Sequence, residues 1–144
     1  MIGELVAYLF DTDAISEVLK KKPAPAYARW LGRVPREDQF TSAVVVGELY
    51  KGAFRSPDAG RHLDNIEKRL LPRVTVLTYE TAAARVYGQI RAQLEQAGRP
   101  LADADLQIAA TALLHDLELV TGNQRHFSRV PGLRISDALS SARG

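Results

Sequence analysis

The stretch Leu5-Val6-Ala7-Tyr8-Leu9-Phe10-Asp11-Thr12-Asp13 decides the fold. Its first six residues are apolar without alternation, as in a strand buried on both faces of a parallel sheet. Asp11 and Asp13 close that run, and a helix pattern follows at once. Ligands bind at the carboxyl ends of the strands in an open α/β sheet, which is where this junction puts two acids. Working outward, Glu48 lies on a mid-chain helix, and Asp103 and Asp105 open a later one. Carboxylates gathered at a sheet end repel one another unless a cation lies between them. Hard divalent ions such as Mg²⁺ take oxygen ligands at about 2.0–2.1 Å, so metal chemistry is the first expectation.

The other elements follow from punctuation and period. Thr12 or Asp13 can cap a first helix that runs to about Lys21. Pro23 and Pro25 open a second, with Tyr27, Trp30, Leu31 and Val34 on one face, and Pro35 ends it. Gln39-Phe40-Thr41 is a short second strand, and Ser42 caps the helix carrying Val45, Glu48, Leu49 and Gly52. Asp58 to Leu71 form a helix stopped by Pro72. Val74-Thr75-Val76-Leu77 is a third strand. Thr78 caps a long helix through Ala83, Val86, Tyr87, Ile90 and Leu94, which Gly98 terminates. Asp103 caps a helix from Ala104 to His115. Leu119-Val120-Thr121 is a fourth strand, Gly122-Asn123 turns out of it, and Leu133-Arg134-Ile135 is a short edge strand. Strands alternating with helices predict parallel βαβ units and an α/β fold: a three-layer sandwich with a mainly parallel sheet flanked by helices.

The 144 residues suit a single domain, 1–144, with a sizeable core. No cysteine is present, which excludes disulfides, thiolate catalysis and cysteine-ligated zinc. The N-terminus lacks a basic leader, and its apolar run is too short for a signal or a membrane span. A cytoplasmic protein with no membrane association is expected. Net charge is only +2 but unevenly spread: Lys20-Lys21-Lys22 form a run, and Arg125 and Arg129 flank the last strand and its loop. A basic rim around an acidic centre suits a phosphodiester polymer. The plainer reading of the lysine run is a solvated helix end favoured by the dipole.

Asp11 directly follows a buried strand, and its neighbours Thr12 and Asp13 can serve as helix cap, so it is the leading candidate for chemistry. Asp13 suits a cap and an outer-sphere water ligand equally. Glu48 borders the buried face of its helix, where a charge is costly unless paired or metal-bound; a salt bridge to Lys51 or Arg55 is the structural alternative. Asp103 and Asp105 are two apart and share no helical face. Asp103 is the natural cap, which leaves Asp105 as ligand. Thr121 and Asn123 can supply neutral oxygens or ordinary turn chemistry.

Taken together, Leu9-Phe10-Asp11-Thr12-Asp13, Thr41-Ser42 with Gly47-Glu48-Leu49, Asp105-Leu106-Gln107-Ile108-Ala109-Ala110, and Val120-Thr121-Gly122-Asn123 with Phe127 resemble a PIN domain. The nearest group is the VapC-type toxins of bacterial toxin–antitoxin pairs. The resemblance covers nearly the whole chain. It implies a Mg²⁺- or Mn²⁺-dependent endoribonuclease, a homodimer, restrained by a cognate VapB-type antitoxin. By position Asp11, Glu48 and Asp105 match the family's catalytic acids, with Asp11 and Asp105 on the metal and Thr12, Asp13, Asp103, Thr121 and Asn123 as accessory residues. The family's fourth acid falls where this chain has Asn123 or His126, so one tightly bound ion is expected instead of two. Metal-activated water would then attack in line and expel the 3′ oxygen. An antitoxin helix with an arginine for the acidic pocket would seat beside Trp30 and the helix that starts at Pro23.

Two other readings remain open. One is a catalytically weak PIN-like module that binds RNA or antitoxin, which the neutral Asn123 and His126 keep alive. The other is a phosphoaspartate phosphatase with Asp11 as nucleophile and Asp13 as acid. That chemistry needs a late lysine, and no lysine follows Lys68.

Overall fold

In the computed structural model, which describes residues 6–144, the opening apolar run becomes the central strand β1 (Tyr8–Phe10). Leu5 lies outside the described residues. β2 (Gln39–Ser42), β3 (Thr75–Leu77), β4 (Glu118–Val120) and β5 (Ile135–Ser136) complete one sheet. Its order is β3-β2-β1-β4-β5, and every pair is parallel. Parallel neighbours need crossovers, and helices supply them. From β1 the chain builds outward to β2 and β3, then crosses back to place β4 on β1's other edge, with Tyr8 opposite Glu118 and Phe10 opposite Val120. Strand order therefore reverses between β1 and β4. That switch point is where an α/β sheet opens a crevice at its carboxyl ends.

The flanking helices are α1 (Thr12–Leu19), α2 (Pro25–Leu31), α3 (Ala43–Arg55), α4 (Ala59–Asp64), α5 (Thr81–Gln96), α6 (Asp103–Leu114), α7 (Gln124–Phe127) and α8 (Ala138–Ala142). α3 packs on α1 and α6, α5 on α6, and α2 on α8. Leu9, Phe10, Ile15, Tyr27, Val45, Leu106, Ile108, Leu119 and Phe127 are essentially excluded from solvent and form the core. The buried Tyr27 hydroxyl donates to Ala14 O at 3.0 Å. No helix among the described residues is long and apolar enough to cross a membrane.

The fold class is as expected, and most elements fall where periodicity put them. Ser42 caps α3, accepting Val45 N–H at 3.1 Å. Gly98 ends α5 with φ 65°, the left-handed conformation glycine adopts freely. Several details differ. α2 stops at Leu31, so Val34 lies outside it: Val34 precedes Pro35, whose ring disfavours helical backbone there. The helix expected over Asp58 to Leu71 is α4 followed by a π-helical run, Asn65–Leu70. α5 starts at Thr81 behind Glu80, not at a Thr78 cap, because the chain needs three residues to leave β3. The short α8 has no sequence expectation behind it. Trp30, for which a place in the core is the plainer reading and a groove beside α2 the alternative, is partly buried, its ring edge-on to Tyr8 at 5.1 Å and flat on Tyr27 at 5.9 Å.

Candidate active site

Asp11 ends β1 with extended backbone and is itself the N-cap of α1. Its Oδ1 accepts Ala14 N–H at 2.8 Å. This corrects the expectation that Thr12 or Asp13 caps: both already lie inside the helix, because α1 begins immediately where the strand stops. The carboxyl is 5% exposed. Burial raises its pKa to about 6, and the charges of Asp13 and Asp105 push the same way against the Thr121 hydroxyl and the Ala14 N–H.

Asp105, near the start of α6, is half-buried. Its pKa is raised by burial and then by the charge of Glu48, with His126 opposing. Glu48 comes from α3 and accepts the Thr12 hydroxyl at 2.5 Å. No ion pair among the described residues involves Glu48, so the alternative of Lys51 or Arg55 as partner is not what the structure contains. Thus Asp11, Asp105 and Glu48, from three separate elements, meet within electrostatic reach at the β1/β4 switch point.

The accessory candidates divide. Thr121, buried past the end of β4, accepts Asn123 N–H at 2.9 Å, and the Asn123 amide nitrogen stands 2.8 Å from His126 Nδ1. Asp103 does not cap α6, whose N-cap is Ala102. It turns outward, accepting the Tyr87 hydroxyl at 2.8 Å and pairing with Arg91, both on α5. Asp13 is occupied as well: Arg143 grips it with two bonds, at 2.7 and 2.9 Å.

Among the described residues no three His, Cys, Asp or Glu side chains are placed as a ready metal cage. The donor chemistry nonetheless fits a hard cation. Asp11 and Asp105 are all-oxygen donors whose charges burial and mutual repulsion disfavour, and Mg²⁺ is commonly held by one or two carboxylates with water completing its shell.

Residues 8–133 match the sequence profile of the PIN domain. The chain belongs to the PIN-domain family, among its VapC members. It is 38% identical over 133 residues to the tRNA(fMet)-specific endonuclease VapC of Shigella flexneri, a match covering 92% of this chain and 98% of that protein. It is 34% identical over the same span to ribonuclease VapC2 of Haemophilus influenzae. Among solved PIN-domain structures, DNA-bound VapBC from Salmonella typhimurium superposes with a TM-score of 0.83 at 34% identity, over 92% of this chain and 98% of that one. FitAcB from Neisseria gonorrhoeae does so with 0.81 at 30%, over 90% and 96%.

Beyond the span that matches the PIN profile stands a residue the sequence reading passed over. Arg143, at the end of α8, donates to Glu17 Oε1 at 2.8 Å as well as to Asp13. Glu17 is buried, and Arg143, then Lys20 and the Ala24 N–H, hold its pKa down to about 2 despite burial. Gly122 lies flush against this cluster: a Cβ there would collide with Asp13 Oδ2 and the Arg143 guanidinium. A signal was available. Asp13 and Glu17 are four apart on one helix face, a repulsive pair that calls for a cation.

Proposed function

We propose that this chain is the toxin of a toxin–antitoxin pair, an endoribonuclease that cuts RNA with Mg²⁺ or Mn²⁺ held by Asp11 and Asp105. The carrying observation is that two carboxylates, on β1's end and on α6, share the sheet's switch point with their charged forms disfavoured and, among the described residues, no salt bridge to either. Relatives named as endonucleases and ribonucleases support the reaction class. When bound, the cation supplies Lewis acidity, polarising a phosphoryl oxygen and lowering the pKa of a water. The protein's own part is positioning. Asp11 and Asp105 are the ligands; Glu48, steadied by Thr12, orients the attacking water; Arg143 withdraws Asp13 from the ligand set.

The partner is an antitoxin, in keeping with the toxin–antitoxin complexes among the structural relatives. A cleft of about 370 Å³ beside α2 has an apolar floor that includes Leu19, Tyr27 and Leu31, with Arg36, Arg69 and Arg73 at its wall. It suits an amphipathic antitoxin segment bearing acids. A homodimer would cover Phe54, the most exposed large apolar side chain among the described residues at 69%.

The test is cleavage of RNA with added Mn²⁺ by wild type and Asp11→Asn. Asparagine keeps the capping ability and removes the charge, so activity should fall by orders of magnitude with the fold intact; equal activity would overturn the assignment. A non-cleaving RNA-binding module, favoured by Asn123 and His126 standing where the family has an acid, predicts no cutting by either. The phosphatase reading loses ground because Asp103 and Asp105 open α6 after a loop, where that chemistry wants a strand end.

A further inference from the structure

A second cleft, of about 510 Å³, reaches the candidate site at Glu48. Thr12 and Glu48 line one end of it. Leu19, Leu49 and Ile66 give it an apolar floor, and Lys20, Lys21, Arg61 and His62 stand around the far end. Glu48 is its sole acid. We infer that this cleft, between α1, α3 and the helix following Asp58, is a nucleotide subsite that seats one splayed base of the RNA and grips its phosphate next to the cleaved bond. The inference rests on the ribonuclease reading above.

Three observations carry it. The first is continuity: Glu48, within electrostatic reach of Asp105, also lines this cleft, so a strand whose scissile phosphate lies at the cation enters it without leaving the surface. The second is charge. Among the described residues Lys21 enters no ion pair. Arg61 pairs only with exposed Asp58, three residues away on the same helical segment. Such surface pairs contribute little and exchange readily, so both cations are available to phosphate. The third is Gly52. It lies inside α3, where glycine is a poorer helix former than alanine, yet a Cβ there would meet nothing within 4 Å. Packing does not require the glycine. It lines the cleft, and what its missing side chain leaves is room. RNA is read chiefly through unstacked single-stranded bases, and an apolar floor flanked by His62 suits one.

The experiment measures fluorescence anisotropy of a labelled mixed-sequence single-stranded RNA of about 12 nucleotides on the full chain, in an Asp11→Asn background that should leave the probe intact. Lys21→Glu with Arg61→Glu should weaken binding about tenfold or more and flatten the salt dependence by roughly one unit. Gly52→Leu should weaken it about tenfold while melting at the same temperature or higher, because leucine is the better helix former. Arg73→Glu, on the other cleft, should leave affinity unchanged. Binding unaltered by Gly52→Leu, or weakened equally by Arg73→Glu, overturns the subsite while leaving the nuclease reading intact. RNA binding that depends on Lys21 and Gly52, in a chain whose wild type never cuts, keeps the subsite as an RNA site and overturns the nuclease. No RNA binding in any variant overturns both.

Discussion

Asp11 holds two positions at once, helix cap and buried acid, and they pull its charge in opposite directions. The Ala14 N–H favours the carboxylate, yet burial wins and raises the pKa to about 6. A carboxyl with a native pKa above its unfolded value binds its proton more tightly when folded. Its contribution is therefore most favourable at low pH and is lost as pH rises from about 4 to about 6. Metal-free Asp11→Asn should be more stable than wild type at pH 7.5, by about 2 kcal/mol, since asparagine caps as well and carries no charge. Thermal melting checks this. Adding millimolar Mg²⁺ or Mn²⁺ should raise the wild-type melting temperature and leave the variant's unchanged, because ligand binding to the native state stabilises it. A wild type that is the more stable protein without metal would contradict the assignment of a strained acid. The sequence showed an acid at a strand end. Which of three capable neighbours would cap was not legible, because Asp11, Thr12 and Asp13 all have the chemistry and only the strand's exact end chooses.

The guanidinium of Arg143, just past α8, ties that end of the chain to α1. Arg143 reaches Asp13 and Glu17 across sequence separations of 130 and 126. Glu17 is almost wholly buried, so losing its main partner leaves a charge served only by Lys20 and one backbone N–H. Arg143→Met should cost about 1–3 kcal/mol, less than a fully buried pair because the guanidinium is partly solvated. Since the Glu17 pKa is depressed to about 2, this stabilisation is present above the ordinary carboxylate range and fades as pH falls towards 2. In chemical denaturation, Glu17→Gln with Arg143→Met should recover part of the single-variant loss; a double variant showing the sum of both losses would argue against coupling. The repulsion between Asp13 and Glu17 was visible in the sequence, but its solution was not. Arg143 sits in Ala138-Leu139-Ser140-Ser141-Ala142-Arg143, too short and too small-sided to announce a helix. The π-helical run was equally invisible, since an i+5 bond such as Leu71 N–H to Ile66 O alters no periodicity that leucines and isoleucines record.

Across the whole molecule, the sequence conveyed the α/β class because the buried strand and the helical periods differ so clearly. It did not convey strand order. Nothing local tells β4 to choose the free edge of β1 over that of β3, although that choice creates the site. Nor did it mark which apolar side chains stay outside. Phe54 lies at i+4 from Tyr50, and its ring stacks on that tyrosine at 6.2 Å while remaining exposed. If the homodimer uses this face, Phe54→Asp should shift light-scattering mass from dimer to monomer without changing the metal-induced melting shift. Unchanged mass would move the interface elsewhere.

The pairing of β1 with β4 also has a consequence in time. A ribosome delivers Asp11 more than a hundred residues before Glu118 to Val120, the strand against which β1 must be zipped. Asp105 waits on the same delivery. Until then β1 has only one of its two neighbouring strands, β2, and a half-translated chain holds Asp11 and Glu48 without Asp105. The topology is thus a built-in delay. A pair of acids that joins the end of β1 to α6 cannot form until α6 and β4 have both been made.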